Sequence, residues 1–277
     1  MSRLWRDQIQ VFLAPERIDL IRSARGFKPV QAPKVSILCQ RGTDQPAWEA
    51  SCRQLEELLV DATNTELSIT LSNHFVRYVT LPPQSEITEP DEVTAYASFR
   101  MREIYAERID SWVLSVSAWN PATGAICAAI PRELMTCLEE MAVRHKIRLT
   151  GIEPYLASAY DRWYSLLNGK RTYFVLIETG RLCIALLTYG IWQSIRNQRF
   201  SHGITDELLA ALNQEAILSG HKEAVESFYL FSPEYPEITL PAHCGWQIIP
   251  LPTEQIPALS HYPSLTRDNA AIRQCIA

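Results

Sequence analysis

The chain has 277 residues, 47% of them hydrophobic, enough to bury the core of one large domain or of two smaller ones. A net charge of −5 and a pI near 5.7, with 26 scattered Lys and Arg residues, provide no basic field for nucleic acid or anionic lipid. Seven widely spaced cysteines without a C-x-x-C argue against a disulfide framework or zinc ribbon and fit reduced thiols in a cytosol; the amino terminus has no secretory h-region, and no window approaches the roughly 18 uncharged apolar residues of a membrane helix.

In chain order, "QIQVFL" at 8–13 and "RIDLIRSAR" at 17–25 read as strands joined by a turn at Ala14-Pro15-Glu16, and "KVSIL" at 34–38 reads as a third. Trp48, Cys52, Leu55 and Leu59 recur at helical spacing with Pro46 near the start, and "ELSITLS" alternates as a strand, so the first unit is βββαβ. "HFVRYVTLPP" then leads to a helix over 92–106, with Asp91 and Glu92 as first-turn charges that suit its dipole. The strands "SWVLSVSAW" and "GAICAAI" form a hairpin about Asn120 to Gly124, and a helix over 132–145 follows. "KIRLTGIE" is a strand and "PYLASAYDRWYSLL" a helix, with Gly169 suited to the left-handed position that ends it.

From Arg171 the opening pattern returns: strands at 172–178, 182–188 and 191–199, a helix over 205–218 and a strand at 227–231. This is a second βββαβ, a repeat of element order without residue identity. Beyond Pro233 the sequence is rich in proline with one clear strand, "WQIIPL", and a short helix-like tail. The expected organisation is a first half over 1–170 holding an inserted α+β subdomain at about 74–150, and a truncated second half over 171–277 with a proline-rich flank.

Duplicated βββαβ units are the ground plan of the actin-like superfamily, in which the first hairpin of each half supplies a phosphate-binding turn. "LSNHFVRYVTLP", "AAIPRELMTCLEEMAVRHKIRLTGIEPYLASAYDRW" and "VLIETGRLCIALLTYGIW" add to that order. Over about residues 5–230 the chain resembles the type IV pilus assembly protein PilM and the cytoplasmic domain of the type II secretion protein GspL. The resemblance implies an α/β fold of two actin-like (RNase H-like) units with an insert in the first half.

Both phosphate turns depart from the nucleotide-binding pattern. Where that pattern has Asp-x-Gly, the first hairpin has "LAPER": Pro15 removes a backbone N–H, the missing glycine removes close approach, and Glu16 repels an anion. In the second turn Gly180 remains, but Glu178 stands in the place of an Asp and Arg181 in that of a small residue, and no late Gly-Gly pair backs an adenine. Glu178, Thr179, Gly180 and Arg181 therefore read as a vestigial phosphate turn. The blander reading is a solvated hairpin whose Glu178 and Arg181 are ordinary surface charges.

Elsewhere the chemistry is sparse. "ARGFKP" and "NGKRT" do not fit a P-loop, the six histidines lack metal-ligand spacing, and "SGHK" at 219–222 falls at a helix end where Gly220 terminates. The cysteines within apolar runs read as small core residues. Tyr96, Phe99, Trp112 and Trp119 are either the core of the insert or anchors of a groove for a partner peptide.

The resemblance implies a non-catalytic scaffold in the cytoplasm, peripheral to the inner membrane, that binds the short cytoplasmic tail of a single-span pilus or secretion protein and contacts an assembly ATPase. No metal and no cofactor are expected, with residual ATP and magnesium binding left open by Gly180. The alternatives are an ATPase or kinase-type phosphotransferase with unorthodox phosphate loops, which would use Glu178, and a dimerising module unrelated to pili.

Overall fold

Strand β1 (Gln8–Ala14) alternates in burial, with Ile9, Val11 and Leu13 inward, and organises the first sheet. It pairs antiparallel with β2 (Arg17–Ala24) and parallel with β5 (Glu66–Leu71), whose far side takes β9 (Arg148–Pro154). The expected third strand is divided: β3 (Val30–Gln31) and β4 (Val35–Leu38) both add to β2. The computed structural model describes residues 6–24, 30–42, 44–167, 169–201, 203–220 and 225–252. The expected helix-like tail, "ARGFKP" beyond Ala24, and the His221 and Lys222 of "SGHK" lie outside the described residues.

The second sheet repeats this arrangement. Strand β10 (Arg171–Glu178) pairs antiparallel with β11 (Arg181–Thr188), which pairs with β12 (Ile191–Arg199). On its other side β10 runs parallel to β13 (Glu226–Phe231), and β13 runs parallel to β14 (Trp246–Pro250). The order β12-β11-β10-β13-β14 matches β3-β2-β1-β5-β9, so both units have their fourth and fifth strands in place. "WQIIPL" lay within a segment expected to be a loose flank, and its strand is the fifth of this sheet. Its parallel partner lies beyond the proline-containing crossover at 232–245, where local pattern does not reveal the pairing.

The helices fill the layers. Helix α1 (Glu49–Leu58) buries Cys52 and Leu55 against the first sheet, and α4 (Tyr155–Trp163) buries Leu156, Ala159 and Trp163. The core they share continues into the second unit through Phe174, Leu176, Cys183, Ala185 and Leu187. The other face of β10 and β11 packs on α5 (Ile204–Leu218) through Tyr173, Val175, Ile177, Leu182 and Ile184. Covered on both faces, these two strands need the near-continuous apolar runs seen in the sequence.

The insert is a three-stranded sheet, β6 (Arg77–Leu81), β8 (Ala125–Pro131) and β7 (Trp112–Val116) in that order, with α2 (Pro90–Tyr105) across it. At the start of α2 the Glu92 carboxylate accepts the main-chain N–H of Thr88 and Glu89 at 3.1 and 3.2 Å, the reciprocal half of a capping box. The turn before β8 needs Gly124: its φ is +73°, and a Cβ there would lie 2.1 Å from the Leu81 carbonyl oxygen.

Helix α3 (Arg132–Arg144) packs Leu134, Leu138 and Met141 into the core of the first unit, where it meets α1 and β9, and it also contacts β7 and β8 of the insert. One expectation is corrected. Gly169 does not have a positive φ; α4 stops at Trp163, where Leu166 N–H reaches the Trp163 carbonyl at 2.8 Å in a tightened last turn.

Because Leu13 is fully buried on the central strand of the first sheet, Leu13→Ala should lower the unfolding free energy by about 2–5 kcal/mol. Phe99 on α2 is 60% exposed, and Phe99→Ala should stay within about 0.5 kcal/mol of the parent. Urea denaturation of both variants checks the contrast.

Candidate functional site

The β10–β11 hairpin closes through Thr179 and Gly180, with Glu178 directly opposite Arg181 and Gly180 at φ +70°. The solvated reading of this turn is overturned: Glu178 is 2% exposed and Arg181 4%. The tip abuts the loop at 72–76 that leads from β5 into the insert, and a turn composition suited to solvent here meets protein.

That loop supplies the polar partners. Asn73 N–H donates to Glu178 Oε1 at 3.0 Å, and the Tyr78 hydroxyl donates to Asn73 Oδ1 at 2.6 Å. Asn197 on β12 donates its Nδ2 to the carbonyls of Asn73 and Val76 at 2.9 and 3.0 Å. His74 Nε2 lies 2.9 Å from the Thr179 carbonyl, which can only accept, so this nitrogen carries the proton. Burial keeps the imidazole neutral, its pKa lowered to about 4. Burial also pushes the Glu178 carboxyl up to about 7, against the opposing pull of the Ser72 hydroxyl and the Asn73 amide.

The other anchor of the tip is Glu234, on the crossover after β13. Thr179 donates both its main-chain N–H, at 2.6 Å, and its hydroxyl to Glu234 Oε2. The second oxygen of the same carboxylate accepts Arg17 Nη2 at 2.5 Å. Arg17 opens β2, immediately after the Ala14-Pro15-Glu16 turn. One carboxylate thus joins the hairpin turns of both units. The guanidinium also lies 3.4 Å from Asp19, which pairs with Lys34 at 2.8 Å. It stands over the Phe12 ring at 5.4 Å, and that ring packs edge-on against Tyr155 with centroids 4.7 Å apart.

The actin-like ground plan implies nucleotide phosphates between these two turns, and the residues present fit them poorly. The amide of Thr179, a natural phosphate donor, already faces a carboxylate, Arg17 is neutralised by the same group, and Pro15 has no N–H to offer. A phosphate brought here would meet a fixed negative charge. Among the described residues no cluster of three or more His, Cys, Asp or Glu is placed to hold a metal ion.

The structure brings Glu178, Thr179, Gly180 and Arg181 together as one tip, and adds Arg17, Asn73, His74 and Glu234, which sequence reading did not single out as site residues. Arg17 was visible as the last letter of "LAPER"; Glu234, within a proline-rich segment, carried no local signal. The four aromatic residues of the insert separate. Tyr96 packs on Trp119 with ring centroids 5.9 Å apart, Trp112 on Tyr105 at 5.3 Å, and Trp119 Nε1 donates to the Ile87 carbonyl at 2.9 Å. All are half-buried around the insert's own core, whereas Phe99 faces outward on α2, as does Ile104.

No protein-family model matches the chain, and no curated protein matches it in sequence. In three dimensions it is similar to a chain of a PilM–PilN type IV pilus biogenesis complex, with 15% identity, TM-score 0.60, and 90% of this chain and 89% of that one covered. It is similar to the cytoplasmic domain of EpsL, an inner membrane component of the type II secretion system of Vibrio cholerae, with 10% identity, TM-score 0.53, and 89% and 90% covered. A third likeness is to a Bacteroides thetaiotaomicron protein with an actin-like ATPase fold and unknown function, with 9% identity, TM-score 0.56, and 83% and 84% covered. At these identities the likeness shows the fold, which is actin-like, as the sequence resemblance implied.

The buried Glu178 gives a pH signature. Its pKa, raised from 4.5 to about 7, means that the folded chain holds this proton more tightly than the unfolded one, so stability is lost as pH rises through that interval. Glu178→Gln removes the titrating carboxyl. The stability of the parent relative to this variant should fall by on the order of 3 kcal/mol between about pH 4 and about pH 8. Denaturation curves across this range check it, and parallel profiles would contradict the assignment.

Proposed function

We propose that the chain is a non-catalytic actin-like scaffold of a type IV pilus or type II secretion platform, which binds the short cytoplasmic tail of a single-span inner-membrane protein. The observation that carries this reading is the Glu234 carboxylate, which accepts the Thr179 amide and the Arg17 guanidinium where a phosphoryl group would need those donors. Such a site favours a fixed arrangement of the two hairpin turns over a cycle of nucleotide binding and release. The fold likeness to a PilM–PilN complex and to the cytoplasmic domain of an inner-membrane secretion component supports the choice of platform.

The mechanism is positional. An extended tail gains main-chain pairing and apolar contacts on a preformed surface, and no bond is made or broken in this chain. The exposed Phe99 of α2 is the most available of the four insert aromatics for such contacts. The chain would sit in the cytoplasm and reach the membrane through its partner, with an assembly ATPase as a second contact. No helix among the described residues is long and apolar enough to cross a membrane.

A phosphotransferase or ATPase is the second reading, favoured by the raised pKa of Glu178, which suits a carboxyl that takes up a proton near neutrality. Against it, Oε1 of this carboxyl already accepts the Asn73 amide, and the Glu178 side chain is buried.

Thermal shift in phosphate buffer, where general anion binding is already saturated, separates the two. A synthetic peptide copying the cytoplasmic tail of a single-span membrane protein encoded alongside should raise the melting temperature, and magnesium ATP should not. Phosphate release from ATP that disappears in Glu178→Ala would overturn the scaffold reading.

A further inference from the structure

The register of β11 and β12 places Arg181 directly opposite Arg199. Residues so paired share one face of the sheet, and like charges there oppose folding. The next pair on the same face, Cys183 and Asn197, shows where it points, because the Asn197 amide reaches the carbonyls of Asn73 and Val76 at 2.9 and 3.0 Å. Arg77 follows this loop at the start of β6, beside β12. Its Nη1 donates to the carbonyls of Val76 and His74, at 2.9 and 3.4 Å.

Three guanidinium groups therefore converge where the second unit meets the insert, and among the described residues none of them makes an ion pair. They act on one another: burial first, then Arg77 and Arg199, bring the pKa of Arg181 down to about 10. Glu178, the carboxyl whose charge favours the Arg181 cation, is itself part-protonated near neutrality. A phenol completes the surroundings, since Tyr105 feels both Arg77 and Arg181.

Arg181 is the unusual member. It is 4% exposed, yet among the described residues its Nε and Nη2 have no hydrogen-bond partner. These two nitrogens form the edge of the guanidinium that grips an oxyanion with two parallel bonds. A buried cation with that edge unsatisfied is costly unless something fills it. Arg77 is half-buried and Arg199 exposed, so the three grade from the interior to solvent.

We infer that Arg77, Arg181 and Arg199 form a binding site for a small phosphate-class oxyanion, held bidentately by Nε and Nη2 of Arg181 and closed on the solvent side by Arg199. This site is separate from the link between Arg17, Glu234 and Thr179, where the anion is the protein's own carboxylate. A bound dianion turns the cross-strand repulsion into a bridge between β12 and the start of the insert, and so stiffens the junction between them.

The test is thermal shift of the full chain in chloride buffer at constant ionic strength, titrated with inorganic phosphate. The parent should show a saturable rise in melting temperature. Arg199→Ala, a change at an exposed position, should melt no lower than the parent without phosphate, because repulsion is relieved, and should lose most of the response. Arg181→Lys keeps the charge but not the two-pronged edge, and should weaken phosphate binding at least about tenfold. Phosphorylethanolamine titrated alongside tells an esterified phosphoryl group from free phosphate, and a saturable response to it, lost in Arg199→Ala, supports the same site. No response of the parent to either probe, or a response that survives unchanged in Arg199→Ala, would overturn the site. Neither outcome bears on the scaffold reading, whose test is run with phosphate already present.

Discussion

The carboxylate of Glu234 is the polar contact that joins the hairpin turns of the two actin-like units, which also share one hydrophobic core. It takes the Thr179 amide from one hairpin turn and the Arg17 guanidinium from the other, so one side chain reaches both halves. Its side chain is 16% exposed and that of Arg17 26%, so the pair is screened less than a surface salt bridge and retains more of its Coulomb energy. Arg17 is fixed in turn by Asp19 and by the Phe12 ring, which Tyr155 supports. The crossover that carries Glu234 also delivers the chain to β14, so completing the second sheet and joining the hairpins are tasks of one segment.

With that link in place the β10–β11 tip has protein on both sides. The loop at 72–76 covers it from the insert side, and this burial has electrostatic consequences that a solvated turn would not have: a neutral His74, a Glu178 that holds its proton to about neutrality, and an Arg181 whose pKa is lowered to about 10. The tip thereby resembles a phosphate turn in shape and differs from one in charge. Its amide faces an internal anion, while its arginine turns to a separate cluster with Arg77 and Arg199. Of the four residues of the tip, Arg181 alone belongs to both the turn and the arginine cluster.

Much of the fold was legible. Alternation in β1, helical spacing in α1, the continuous runs of β10 and β11 and the Asn120–Gly124 turn each follow from side chains acting on their near neighbours in sequence. The repeat of element order by itself points to the actin-like plan. What was hidden depends on distant parts of the chain. Glu178 and Asn73 are 105 positions apart, and Arg17 and Glu234 are 217 apart, so the burial of the tip and the identity of its anion have no local signature. The strand β14 was legible but its pairing with β13 was not, because a parallel partner is never adjacent in sequence. The cross-strand pairing of Arg181 with Arg199 likewise needs the register, and that passes through a bulge at Leu186 and Leu187.

A double-mutant cycle on Arg17 and Glu234 tests the central link most directly. Arg17→Met and Glu234→Gln, singly and together, are compared with the parent by denaturant unfolding at low and high salt. The account predicts a coupling of about 1 kcal/mol or more that persists in salt, as befits a part-buried pair holding two units together. Single effects that add within about 0.3 kcal/mol would contradict it, and would mean that the two hairpin turns keep their places without the carboxylate between them.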